Sequence, residues 1–147
     1  MASWQENDGN GKAIFQHGSA FYSVHALGAG TVAGNGSGEI FWALGESVKK
    51  YTVHKSPVFG FGIDSEGQLW SGDGTGNIAI WAPHAQGLEM KAMWATGLGK
   101  IRHLSPSGRQ MIVASSSGKW SVFSCLLYTS DAADEGLGVD LGGRRII

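Results

Sequence analysis

The chain has 147 residues, a formal net charge of −1, 24 glycines, six tryptophans and one cysteine, Cys125. That length makes one domain or part of one, large enough to bury a core. The balance excludes the basic footprint of a nucleic-acid binder and a polyacidic tail, and a lone cysteine excludes an internal disulfide framework.

Met1 to Asp8 carries neither the basic nor the apolar region of a signal peptide, and no apolar run approaches the roughly 20 residues of a membrane span. A soluble, cytoplasmic protein is expected. Charged residues make up 16%, below the usual quarter or so. High glycine with six tryptophans points to short, well-buried strands joined by tight turns.

In chain order, the expected strands are Lys12 to Phe15, Phe21 to Val24, Thr31 to Gly34 and Gly38 to Trp42. Val48 to Val53, Val58 to Phe61, Leu69 to Gly72 and Gly76 to Trp81 follow, then Leu88 to Trp94, Ile101 to Leu104, Met111 to Ala114 and Gly118 to Phe123. Each is a short run rich in β-branched or aromatic residues and closed by Gly, Asp or Ser, which is how antiparallel meanders read. The stretch His54–Trp81 is the clearest, with turns at Asp64-Ser65-Glu66-Gly67 and at 71–76.

The strands repeat. Gly38, Gly76 and Gly118 stand 38 and 42 residues apart and open matching strands. Upstream, Thr31-Val32-Ala33-Gly34 matches Leu69-Trp70-Ser71-Gly72 and Met111-Ile112-Val113-Ala114. Four strands in about 40 residues is the period of a β-propeller blade. A helical repeat of that length is excluded, because the glycine punctuation leaves no room for two helices per unit. The units run at about 12–44, 48–82 and 88–124.

These residues resemble the WD40 repeat family. The features that carry the resemblance are His17 and His54 before the inner strand, Ser71-Gly72 after the second, the Gly-x-Ile-x-Ile-Trp ending at Trp81, and the corner Ser105-Pro106-Ser107-Gly108. It covers residues 4 to about 124, best in the second unit. Ala43 holds the usual tryptophan position, with Trp42 one place early. Phe123 replaces the tryptophan in the third unit, and Gly97 stands at the histidine's place. The family's turn aspartate is expected at Ser37, Thr75 and Ser117, so its Trp–Ser/Thr–His–Asp network reads as incomplete, with His54, Ser71 and Trp81 forming a partial version. The resemblance implies degenerate blades of the kind common in bacterial propellers.

Pattern changes after Ser124. Residues 125–147 fit no further unit and resemble the translation of a sequencing-library adapter, as in a metagenomic fragment; such a segment is set aside from fold reasoning. On that reading Cys125 has no chemical role. Without Arg144, Arg145, Asp131, Asp134, Glu135 and Asp140, which sum to −2, the charge moves from −1 to +1. Residues 1–124 are then expected to be about three blades of a ring that takes 4–8, and poorly soluble alone because apolar faces and sheet edges stay uncovered.

Motifs for chemistry are weak. Gly28-Ala29-Gly30-Thr31-Val32-Ala33 has dinucleotide-fingerprint spacing, but Gly34-Asn35-Gly36-Ser37-Gly38 cannot open the helix that chemistry needs. The Asp64 and Asp73 stretches lack the distal glutamate of a calcium loop and read as turns. His17, His25, His54, His84 and His103 have no zinc-ligand pairing. No Gly-x-Ser-x-Gly elbow occurs. Trp42, Trp70, Trp81, Trp94 and Trp120 fall inside strands and are expected in the core, with Trp4 exposed; Lys49, Lys50 and Lys55 read as a solvated edge. No catalytic residue, metal or cofactor is expected, and neither nucleic acid nor membrane is a partner.

The resemblance implies a non-enzymatic, protein-binding scaffold, with the remaining blades of its own chain as further neighbours. The candidate contact loops lead into the inner strands at Gly18-Ser19, Lys55-Ser56 and Gly99-Lys100. The rival is an enzyme or small-ligand propeller using the central channel or the missing blades. The inner-strand residues Phe21, Val24, Val58, Phe61, Ile101 and Leu104 are apolar and point to packing instead; the nearby chemistry is Asp64, His25 and Arg102.

Overall fold

A computed structural model describes residues 18–125 in full and the backbone of residues 5–6 and 12–13. Thirteen strands are present among them, with no α-helix. β1 (Gln5–Glu6) and β2 (Lys12–Ala13) pair as a two-stranded ladder. Three antiparallel sheets follow, each made of strands consecutive in sequence. The first holds β3 (Phe21–Leu27), β4 (Gly30–Asn35), β5 (Glu39–Leu44) and β6 (Ser47–Thr52). The second holds β7 (Val58–Ile63), β8 (Leu69–Asp73), β9 (Asn77–His84) and β10 (Gly87–Ala95). The third holds β11 (Ile101–Ser107), β12 (Gln110–Ser115) and β13 (Trp120–Ser124). No described helix is long and apolar enough to cross a membrane.

Sequence units and sheets are offset by one strand. The strands at the start of the second and third sequence units, β6 and β10, pair with the strand before them, β5 and β9, and so form the outer edge of the preceding blade. The corner at residues 105–108 also differs from expectation. β11 continues through Pro106, which sits opposite Met111, and the turn falls at Gly108, whose φ is 59°. Pro106 is tolerated because β11 is the edge strand of its sheet.

The core lies between sheets. Leu27, Val32, Ile40 and Trp42 of the first blade meet Phe61, Leu69, Ala79 and Trp81 of the second. Trp70, Ile78 and Ile80, on the second blade's other face, meet Leu104, Met111, Val113 and Phe123 of the third. Close approach at the inner edge explains two glycines. A Cβ on Gly34 would stand 2.6 Å from Val58, and one on Gly72 would collide with Ile101. Val58 and Ile101 each open the inner strand of the following blade, so glycine admits that neighbour.

Two expectations of burial need correction. Val24 does not pack: it is 65% exposed. Its counterparts Phe61 and Leu104 are buried by the preceding blade, whereas no described blade precedes the first. Trp120 is 51% exposed rather than in the core. It shares a face of the third blade with Ile112 and Val122, the face that in the second blade receives a neighbour. Cys125 is buried among Met111, Val113 and Phe123, and its amide donates to the Arg109 carbonyl. Burial, with the Asp64 and Glu66 carboxylates adding to it, pushes its thiol up to about 12, so it packs as a small apolar residue. Trp4, His17 and residues 126–147 lie outside the described residues.

Candidate functional site

Two arrangements stand out, one sealed and one open. The sealed one joins the second blade's strands. Trp81 Nε1 donates to Ser71 Oγ at 2.9 Å, Ser71 Oγ lies 2.8 Å from His54 Nε2, and His54 Nδ1 lies 2.7 Å from Asp73 Oδ2. The Asp73 carboxylate can only accept, so the proton of the neutral imidazole sits on His54 Nδ1 and Nε2 is left to accept the Ser71 hydroxyl. His54 Nδ1–H then donates to Asp73, and every member is satisfied.

This corrects the expectation of an incomplete network. The aspartate expected at Thr75 stands two residues earlier, at Asp73. Its Oδ1 accepts from the Thr75 and Asn77 amides and the Thr75 hydroxyl, closing its own turn, while Oδ2 faces His54. Burial by itself raises the Asp73 carboxyl, but the His54 hydrogen bond, the Asn77 amide, the electrostatic pull of the His54 ring and the Thr75 amide outweigh it. The result is a pKa of about 2 against an ordinary 3.8.

Ser71, His54 and Asp73 also have the order of an acyl-transfer triad. Chemistry of that kind needs a nucleophile open to substrate, and Ser71, His54 and Asp73 are buried under the blade interfaces, with Ser71 Oγ capped by the tryptophan. The arrangement staples strands together.

The open arrangement lies where the inner strands begin. β3, β7 and β11 run beside one another, and each carries a bulge at its second residue, because the ladder skips Tyr22, Phe59 and Arg102. A repeated hydrogen bond sets the position: the amides of Gly36, Gly74 and Ser116 donate to the carbonyls of Ala20, Pro57 and Lys100. Bulges re-aim side chains, and these three form a row. Tyr22, 53% exposed, lies 5.1 Å from the Phe59 ring. Lys100 Nζ sits 4.7 Å, and the Arg102 guanidinium 5.4 Å, from the same ring. The rings fit because the neighbouring turns carry glycine: a Cβ on Gly36 would stand 3.0 Å from Tyr22, and one on Gly74 3.1 Å from Phe59.

The candidate loop residues Gly18, Ser19, Lys55, Ser56, Gly99 and Lys100 border this row at the same strand ends. Gly18, Lys55 and Lys100 are exposed and Ser19 is half-buried, bonded to Ser37 Oγ. Ser56 Oγ is buried with no hydrogen-bond partner among the described residues. Sequence reading missed Tyr22, Phe59 and the role of Arg102. Their shared signal was the place one residue into each inner strand, hidden because alternation assigns that place no special direction.

At the opposite strand ends, a cavity of about 380 Å³ is lined by Leu27, Trp42, Ile63, Pro83 and His84. Trp42 Nε1 is buried there without a described partner. His25 bonds the neighbouring Ala26 carbonyl, and Asp64 is consumed by the amides of Glu66 and Gln68 and by Trp70 Nε1. Among the described residues no group of three or more His, Cys, Asp or Glu is arranged to hold a metal.

No protein-family model and no curated protein matches the chain. Solved structures do. The chain is similar to the RRP9 WD40 repeats at 19% identity and a TM-score of 0.65, covering 77% of this chain and 38% of that one. It is similar to U3-55K at 20% identity and a TM-score of 0.64, with the same coverage. A chain of the mitotic checkpoint complex matches at 13% identity and a TM-score of 0.67, over 86% of this chain and 43% of that one. The chain therefore spans about two fifths of the structures it resembles. Three antiparallel sheets set side by side through their first strands, a Trp–Ser–His–Asp staple and these neighbours together give this chain the fold of WD40 propeller blades.

Proposed function

We propose that the chain is a protein-binding scaffold without catalytic activity, whose contact face is the end where the inner strands begin. The observation that carries this is the side-by-side placement of the loops at Gly18-Ser19, Lys55-Ser56 and Gly99-Lys100 by three adjacent inner strands. Rigid strands holding variable loops at one rim are a common way to build a binding surface. The WD40 neighbours support the scaffold reading, and one of them is a chain of a multi-protein complex. The enzyme alternative finds its best constellation, Ser71–His54–Asp73, out of reach of substrate.

We also propose that further units of the same kind cover the Ile112, Trp120 and Val122 face, because its counterpart on the second blade is filled by the third. The sequence pattern of the units breaks after Ser124, so residues 125–147 are proposed to be foreign to the repeat, with Cys125 closing the end of the third blade's core.

The scaffold reading is tested by placing a photo-cross-linking residue at Ser19 or Lys55, and separately at Glu46 or Glu66 at the other end. Protein adducts should concentrate at the first pair. Equal labelling of both ends, or none, sinks it.

A further inference from the structure

We infer that the row Tyr22–Phe59–Arg102, with Lys100 above Phe59, takes an acidic peptide segment laid across the three inner strands. This rests on the scaffold reading above and gives its partner a chemistry. Two cations converge on one ring, Lys100 at 4.7 Å and Arg102 at 5.4 Å, and neither has a carboxylate partner among the described residues. Contact with the ring restricts both side chains before any ligand arrives, which reduces the ordering cost of binding.

The described carboxylates near these strand ends are already engaged. Asp73 is buried against His54, and Glu39 holds Asn35 Nδ2 and Lys50. Lys55 and Lys119 extend the positive rim. The turns at the opposite end carry mixed charge, Glu46 and Glu66 together with His84 and Arg109. Among the described residues, an incoming segment with several carboxylates meets the more complementary charge on the first face.

Nucleic acid is the other polyanion. Four cations would neutralise only a few phosphates, and the Phe59 ring is occupied by cations where base stacking needs an open face. A peptide is therefore favoured.

The test uses the full chain and a fluorescein-labelled peptide of about ten residues alternating glutamate with serine, read by anisotropy between roughly 50 and 500 mM salt. Controls are the matching glutamine and lysine peptides and an oligothymidylate of equal length. The glutamate peptide should bind, and lose affinity as salt rises. Combined Lys100→Gln and Arg102→Gln should weaken it at least about tenfold, and Phe59→Leu, which keeps an apolar side chain, about threefold. Lys91→Gln, on an outer strand, should change nothing. Equal binding of the glutamine peptide, tighter binding of oligothymidylate, or an equal loss with Lys91→Gln overturns the inference. If the acidic peptide fails while cross-linkers at Ser19 and Lys55 still mark this end, the acidic chemistry falls and the scaffold stands; if both ends label equally, both fall.

Discussion

The second and third blades solve one problem in two ways. At the place where the second has Trp81, Ser71, His54 and Asp73, the third has Phe123, Val113, Gly97 and Ser115. The second blade fills its core with a fully paired polar chain; the third fills it with apolar side chains that need no partner. One element survives in both. Asp73 Oδ1 and Ser115 Oγ each accept the amide two residues on, and Asn35 Oδ1 does so in the first blade. The turn cap is thus separable from the network: every blade keeps the cap, and the second oxygen of Asp73 is the addition that makes histidine tenable in the core.

The largest effect is expected from Asp73→Ala, which removes the cap and strands His54 Nδ1–H inside the blade. Loss of one partner of a buried pair costs about 3–5 kcal/mol, read as a fall in urea midpoint. Ser115→Ala, which removes a cap alone, should cost no more than about 1 kcal/mol. Equal costs would show that the network adds nothing to the cap.

Next, Ser71→Val should cost about 2–3 kcal/mol by leaving the Trp81 and His54 nitrogens unpaired. Adding Trp81→Phe moves the second blade toward the third blade's solution and should recover part of that loss. Strict additivity in the double-mutant cycle would deny the coupling.

Acid titration follows. Asp73 is lowered from 3.8 to about 2, so its contribution is present above pH 4 and disappears as pH falls toward 2. The amount is about 2 kcal/mol. Asp73→Asn should flatten this segment of the stability–pH curve; an unchanged slope would assign acid sensitivity elsewhere.

The smallest effect is expected at Trp120, exposed on the third blade. Trp120→Ser should shift stability by no more than about 0.5 kcal/mol, read as the urea midpoint. A large loss of stability would mean that this face is already packed.

Much of this was legible in the sequence, because turn glycines are dictated locally. Gly38, Gly76 and Gly118 have φ of 84°, 97° and 96°, a region side chains avoid, so their recurrence marks the same turn three times. Asp73 is not visible to a pattern that weighs only the residue before that glycine. Asn35, Asp73 and Ser115 each lie three residues ahead of it, all side chains that cap a turn, and that recurrence was available. The exposure of Val24 and Trp120 was not, since alternation gives the face of a strand and says nothing about whether a neighbour covers it. Bulges are equally silent in sequence, which is why the Tyr22–Phe59–Arg102 row emerged only in three dimensions.

Each of the three main sheets is built solely from strands adjacent along the chain, and this bears on how the molecule acquires its shape. The ladders close over short loops, so their formation carries little entropic delay. A newly made blade can assemble before the following one exists, and its inner-edge glycine, Gly34 or Gly72, then receives the first residue of the next. Folding along such a chain becomes a sequence of local closures followed by docking, proceeding in the direction of synthesis.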